Sequence, residues 1–453
     1  MIPKSDKTLY FSPSKIFKFK LFSFCSACAF ALFPFPSSSF PSPISSRIST
    51  SPKEVIDQVW QIIYRDYLDS SGKYNQDEWL SLRKILLSNQ YIDNEEAYDS
   101  IRAMLSSLDD PYTRFMDPKE FEEMRIDTSG SLTGVGIQLS VDEETDKLTV
   151  ISPIQGTPAF NAGVKPKDVI LTIDGKSTNG MSINRAVELI RGEKGTTVTL
   201  GLMREGKSFY LELVRARVEI LAVDRRINFT DKGVPVGYIR LKQFSSNSAA
   251  EMRDAILYLE EQNPIGYILD LRSNPGGLLE ASIEIARQWI DEGTIVSTQT
   301  KEGINDVRRA TGMSLTGKPL VVMVDSNSAS ASEILSGAIK DNGRGLLVGE
   351  QTYGKGLVQS VRGLSDGSGM TVTIARYLTP NGTDIHEQGI APDIFASLTP
   401  EETLKLTSLD LGTRQDSQYR IAETTLIRAI DSSKSVQTYK YNTSNLESIF
   451  SYS

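Results

Sequence analysis

Residues 319–340, PLVVMVDSNSASASEILSGAIK, hold the pattern that decides the fold: a short apolar run, a serine-rich turn, then a segment with helical spacing. Leu320–Val324 is too short for a helix and too uniformly apolar for a half-exposed strand. It reads as a strand covered on both faces, as in a parallel sheet between layers of helices. Ser330 and Glu333 stand at the Ser-x-x-Glu spacing that opens a helix. Working outward, the alternation repeats. Val236–Leu241, Ile265–Leu271 and Gly345–Gly349 read as strands, Ser248–Gln262 and Leu278–Ile290 as helices, and Met370–Tyr377 alternates cleanly. The span 218–400 is therefore expected to be an α/β core.

Upstream the texture changes. Residues 128–217 carry short alternating segments: Gly134–Leu139, Leu148–Ile151, and Val169–Ile173 before an Asp174-Gly175 turn. A helix over Ser182–Arg191 and a hairpin around Glu205-Gly206 complete a small β-rich module. Residues 51–127 read as helical, with Val55, Val59, Ile62, Ile63 and Tyr67 on one face and Tyr98, Ile101, Met104, Leu105 and Leu108 on another. Asp109-Asp110-Pro111 stops the second run, because proline disfavours helix in the residue before it. The tail, 401–453, reads as partly helical over 418–430 and then polar.

Charge and composition narrow the function. The first 50 residues carry Lys4, Lys7, Lys15, Lys18, Lys20 and Arg47 against Asp6 alone. The remainder is thus more acidic than the net −8 of the whole chain, which disfavours nucleic acid as a partner. Basic residues followed by the uncharged, mostly apolar Leu21–Phe35 and small-x-small triplets around Ala27–Ala31 have the order of a secretory signal. A membrane anchor or a plastid transit peptide shares part of that pattern. The Ser/Pro stretch to residue 51 reads as a connector. The expectation is a body exported across a membrane, soluble or membrane-peripheral. Both cysteines, Cys25 and Cys28, lie in the leader, and His386 is the only histidine. A Cys/His zinc site is out of reach, and no metal or organic cofactor is called for. A Ser–His–Asp triad would need His386, which the Asn381-Gly382 turn signal places on a surface turn.

Four stretches carry candidate chemistry. The serine turn offers Ser328, Ser330 and Ser332 as nucleophiles beside a helix N-terminus whose N–H groups suit an oxyanion, although a helix cap explains the same residues. In Tyr353-Gly354-Lys355-Gly356-Leu357-Val358-Gln359, a buried Lys355 would favour its neutral amine and act as a base, with Gln359 on the same face if the segment is a strand; a turn lysine is the plain alternative. Asp270-Leu271-Arg272-Ser273-Asn274-Pro275-Gly276-Gly277 is a strand end running into a turn where the Gly276 N–H could approach a ligand. Leu132, Thr133, Gly134, Val135, Gly136 and Ile137 form a glycine-flanked strand start whose amides could hold a peptide carboxylate.

Taken together, DLRSNPGG, SASASE and YGKGLVQ, in that order, closely resemble the carboxyl-terminal processing peptidases, the tail-specific serine proteases. They are most similar to the photosynthetic branch that trims a photosystem II reaction-centre precursor. The resemblance implies a crotonase/Clp-like α/β protease core, an inserted PDZ-like β-rich domain and a helical N-terminal region. It makes Ser330 the nucleophile, Lys355 the general base, Gln359 its support, Ala331 and Gly276 the oxyanion amides, and 132–137 the substrate site. Asp109–Phe115 and Leu132–Leu139 resemble the approach to the family's PDZ domain. The implied substrates are proteins with a free, mostly apolar C-terminus, and the implied location is the thylakoid lumen or a periplasm. Asp341 falls at a position where the family has an acid. Asn327, Ser273 and Tyr353 depart from the family's usual glycine, asparagine and phenylalanine. An inert PDZ adaptor is the alternative function, and an acyl-CoA enzyme on a crotonase-like core a more distant one.

Overall fold

The computed structural model describes residues 51–432, apart from 143–144 and 408–409. The expected leader and connector at 1–50, and the tail beyond 432, lie outside the described residues. At the centre is a sheet ordered Val223–Phe229, Pro235–Leu241, Tyr267–Asp270, Leu320–Val324, Leu346–Gly349, Ile394–Phe395. Its first pair is antiparallel and every later junction is parallel. The central strand shows why its sequence is apolar throughout. Leu320, Val322 and Val324 join a core with Leu335 and Ile339 of the helix Ala331–Asp341 and with Ile283 and Trp289 of Leu279–Trp289. Val321 and Met323 face the other way, onto Tyr419, Ala422 and Leu426 of the tail helix 417–432. Each such side chain contributes roughly 1.5–3 kcal/mol on burial.

A second sheet stands beside the first. Gly369–Leu378 pairs antiparallel with Leu357–Gly363 along one edge. Along the other it takes Arg114–Met116 and Thr294–Thr300 end to end, and Gly303–Arg309 extends the latter. The helices Pro52–Asp66, Gln76–Ser88 and Asn94–Ser106 bury one apolar cluster, which includes Phe115, Met370 and Val372 of this sheet. The span 51–127 is therefore not helical throughout, because the polypeptide after Pro111 enters a strand. Nor does Asp109–Phe115 open directly into the β-rich module. Thr371 Oγ1 donates to Tyr112 O at 2.7 Å and Thr373 N–H to Thr113 Oγ1 at 3.0 Å, fixing the segment on the second sheet.

The β-rich module is inserted through a ribbon. After the helix Pro118–Ser129, Ser131–Gly134 pairs antiparallel with Ala216–Glu219, so both ends of the insertion leave together. Between them lies a sheet ordered Ile137–Val141, Leu148–Pro153, Val169–Ile173, Thr197–Arg204, Lys207–Val214, with the helix Ile183–Ile190 against its own small core. A cleft of about 1550 Å³ runs between module and core, lined among others by Leu132, Thr133, Arg191, Leu278 and Val361. Among the described residues no helix is long and apolar enough to cross a membrane.

The tail helix is held at its start by a buried ion cluster. Arg272 Nη2 donates at 2.6 Å to both Asp270 Oδ2 and Asp416 Oδ2, Nε donates to Asp270 Oδ1 at 2.9 Å, and Nη1 donates to Gln418 Oε1 at 2.7 Å. Tyr238 Oη adds a bond to Asp270 at 2.7 Å. Burial pushes the Asp270 carboxyl up, but the Arg272 charge and these hydrogen bonds outweigh it and hold it below the usual carboxylate range. Removing one partner leaves an uncompensated charge in the interior. Arg272→Ala, which strands the buried Asp270 and Asp416 carboxylates without their cation, is therefore expected to cost about 3–5 kcal/mol, read as a lower urea midpoint at unchanged slope.

Candidate active site

Three loops meet because three strands are neighbours. Tyr267–Asp270, Leu320–Val324 and Leu346–Gly349 are adjacent and parallel, with Asp270 opposite Met323 and Met323 opposite Val348. Their C-terminal ends therefore lie on one edge, the edge where open parallel sheets place their ligands. The 271–277 turn, the serine turn and the segment 350–356 all leave from it.

The serines are not equivalent. Ser328 Oγ donates to Leu271 O at 2.8 Å, and Ser332 Oγ donates to Asn274 O at 2.9 Å. Both hydroxyls fasten the serine turn to the 271–277 turn. Ser330 Oγ is buried with no hydrogen-bond partner among the described residues. Its backbone has φ 58° and ψ −111°, outside the regions open to a residue with a Cβ. Such a conformation costs of order 1–3 kcal/mol and persists only where its surroundings impose it.

Glu333 supplies much of that imposition. Its Oε2 accepts from the N–H groups of Ser330 at 2.8 Å and Lys355 at 2.9 Å. Its Oε1 accepts from Gly354 N–H at 2.7 Å and Thr352 Oγ1 at 2.6 Å. Burial pushes this carboxyl up, with the four donors acting against that shift. Tyr377, also buried, directs its hydroxyl to the carbonyls of both Ser330, at 3.2 Å, and Lys355. The backbones of the two candidate residues are thus joined twice. Lys355 is 1% exposed, and its Nζ lies 4.6 Å from the centroid of the Tyr112 ring. It precedes the strand Leu357–Gly363 rather than lying within it, so Lys355 and Gln359 are not placed on one face of a common strand. Gln359 is nonetheless buried, with Nε2 to Thr373 Oγ1 at 3.4 Å and Oε1 without a partner among the described residues. His386 is half-buried rather than on an open turn. It packs against Gly356, where a Cβ would meet its backbone nitrogen at 2.7 Å.

Gly276 is brought to Ser330. A Cβ there would lie 2.9 Å from Ser330 Cβ and 3.0 Å from Ala331 N, and its φ of 102° also requires glycine. Ala331 N–H, first in its helix, has no intrahelical acceptor. The Gly276 N–H, by contrast, donates to Asn274 Oδ1 at 2.9 Å. In the inserted module, Leu132, Thr133 and Gly134 pair in the ribbon with Val218, Arg217 and Ala216. Val135 and Gly136 accept from Ala159 and Ile154 through their carbonyls, and among the described residues neither N–H is spent in a turn or cap bond. Ile137 begins the edge strand Ile137–Val141, beside the helix Ile183–Ile190.

The model of peptidase family S41 matches residues 235–396, and that of the PDZ domain matches residues 134–213. The carboxyl-terminal-processing protease of Synechocystis sp. is 42% identical over 80% of this chain and 87% of its own length. The chain belongs to peptidase family S41. Within that family it is similar to the chloroplastic C-terminal processing peptidase of Tetradesmus obliquus, 40% identical over 78% of both chains. A solved photosystem II D1 C-terminal processing protease is 39% identical, with a TM-score of 0.51 over 77% of this chain and 94% of that one. This S41 chain is a carboxyl-terminal processing serine peptidase with a PDZ domain inserted before its core.

Its departures from the family pattern are accommodated. Asn327 keeps a negative φ, so the position does not demand glycine. Ser273 does take a positive φ of 56°, held by bonds from its N–H and hydroxyl to Asp325 at 2.9 and 3.1 Å. Asp341 ends the serine helix and accepts from Asn381 N–H at 3.0 Å, a structural contact. The sequence offered Glu333 only as a helix cap and Asn274 only as a member of the DLRSNPGG turn, and it gave no sign of Tyr112 or Tyr377 at the site. In this S41 site, Glu333→Gln turns an amide NH₂ toward two donors. It is expected to lose about 2–4 kcal/mol of stability and at least tenfold in turnover, measured by urea unfolding and peptide hydrolysis.

Proposed function

We propose that Ser330 is the nucleophile and Lys355 the general base of an endopeptidase that cuts near the C-terminus of proteins. The observation that carries the proposal is the unspent, buried Ser330 hydroxyl in a loop joined to that of a buried lysine by Glu333 and Tyr377. Burial disfavours the ammonium, so a neutral Lys355 amine takes the Ser330 proton as Oγ adds to the scissile carbonyl. The oxyanion is received by Ala331 N–H and by Gly276 N–H. The latter leaves Asn274 for a charged acceptor, whose hydrogen bonds are roughly twice as strong as neutral ones. The lysine ammonium then protonates the leaving amine. Water, with Lys355 again as base, releases the acyl group, and Gln359 supports the lysine segment.

Substrate selection is assigned to the PDZ domain. A C-terminal carboxylate meets the N–H groups of Val135 and Gly136, and the peptide adds to the edge at Ile137–Val141, facing the helix Ile183–Ile190. Leu132 and Thr133 line the cleft leading to the core. An apolar free C-terminus fits this arrangement. From the photosynthetic relatives we infer a photosystem II reaction-centre precursor as substrate and a thylakoid lumen or periplasm as location. Ser330 is 0% exposed, so turnover requires the site to open. That closure, with the Gly276 N–H already engaged, is what favours the second reading, a PDZ-type adaptor that binds without cutting.

The test compares a free C-terminal substrate peptide with its amidated twin. Wild type is expected to cleave the free peptide at least tenfold faster and Ser330→Ala neither; equal cleavage by both enzymes would sink the reading, and binding without turnover would favour the adaptor. The kcat/KM profile should rise toward alkaline pH as Lys355 loses its proton. A limb abolished by His386→Ala would reassign the base.

A further inference from the structure

Tyr112 lies outside both the matched core and the PDZ domain, yet its ring touches the lysine. We propose that the ring face of Tyr112 holds Lys355 Nζ in place and sets the pH at which that amine becomes a base. The inference rests on the Ser330/Lys355 reading above.

The placement of the ring is over-determined. Tyr112 N–H donates to Asp110 Oδ1 at 2.9 Å, and its carbonyl accepts from Thr371 Oγ1 at 2.7 Å. Thr113 donates to Asp110 Oδ2 at 2.7 Å and accepts from Thr373 N–H at 3.0 Å. These bonds fix both sides of one residue on the second sheet. The side chain is half-buried between Lys355 Nζ, 4.6 Å from its centroid, and the His386 ring, 6.4 Å away. Thr373, which the segment orders, also accepts from Gln359 Nε2 at 3.4 Å. One short segment therefore reaches both residues of the YGKGLVQ motif assigned to catalysis.

The consequence is electrostatic. An aromatic face attracts an ammonium and does so more strongly where water is excluded. Burial works in the opposite direction, toward the neutral amine. Titratable groups on the elements packed here include Glu333, which accepts from the lysine's backbone N–H, Tyr377, whose hydroxyl reaches its carbonyl, His386 against Gly356, and Tyr353 and Asp110 beside Tyr112. Burial, with Tyr353, Asp110 and Glu333 nearby, pushes the Tyr112 phenol up, so it stays neutral and its face keeps one charge distribution across the working range. Without the face, the ammonium loses support while its burial remains. The amine then deprotonates at lower pH but is less well held.

The experiment is the pH dependence of kcat/KM and kcat, with folding followed by urea unfolding, for Tyr112→Phe, Tyr112→Met and Lys355→Ala. A further variant carries trifluorophenylalanine at position 112, which keeps the shape of the phenylalanine ring and withdraws electrons from its face. Tyr112→Met should move the acid limb down by about one pH unit and lower plateau kcat about tenfold. The fluorinated ring should move the limb the same way, and Tyr112→Phe by no more than a few tenths. A limb unmoved by both the methionine and the fluorinated ring would overturn the inference, as would an equal shift in Tyr112→Phe. Should the methionine variant not fold, the comparison of phenylalanine with its fluorinated form decides alone. Full activity in Lys355→Ala would instead refute the Ser/Lys reading, whatever the variants at 112 do.

Discussion

The active site depends on one buried carboxylate whose acceptor positions are filled by four uncharged donors. Glu333 accepts from Ser330, Thr352, Gly354 and Lys355, and these donors are spread over two loops. A carboxylate is an acceptor with room for about four hydrogen bonds, so the set is full. Because three donors are backbone N–H groups, the carboxylate fixes main chain and leaves side chains to their own tasks. That explains how Ser330 can hold a positive φ while its hydroxyl is left unspent. The cap is completed from the other side, by the glutamate reaching back.

The wider architecture places the loops so that one carboxylate can join them. Parallel strands in neighbouring positions deliver their C-terminal loops to one edge, and the two serines flanking Ser330 spend their hydroxyls on the adjoining turn. On the far side of the sheet, the Arg272 cluster ties that same turn to the start of the tail helix. The order of the core thus passes from tail to turn to serine through hydrogen bonds whose donors and acceptors are almost all buried.

Much of this was legible in the sequence because it is local. Leu320–Val324 announces a doubly covered strand, and the serine and lysine motifs announce loops at strand ends. What the sequence left open was which serine reacts: spacing treats Ser328, Ser330 and Ser332 alike, while long-range acceptors on the 271–277 turn separate them. Tyr112 was unreadable for the same reason. Its contact with Lys355 spans the whole PDZ insertion, and a Tyr after a helix-stopping proline carries no local sign of a partner so distant. The strand at Arg114–Met116 is too short for periodicity to detect, and its pairing with Gly369–Thr371 is what reorders the helical region.

On the proposed Ser330/Lys355 reading, the site must also resolve a conflict that histidine enzymes avoid. The amine has to be neutral to accept a proton, yet a neutral amine on a flexible four-carbon stem is weakly anchored. Under that reading burial supplies the first requirement, while Glu333 and Tyr377 hold the lysine's main chain and the Tyr112 ring lies against its Nζ. A carboxylate paired directly with the ammonium would hold it equally well but would keep it charged. Directing the nearby Glu333 at the lysine's backbone N–H, beside three other donors, fills its acceptor capacity with groups other than the ammonium. The same residue that fixes the loops thus spends its acceptors on the backbone and hydroxyl donors of the loop that carries the proposed base.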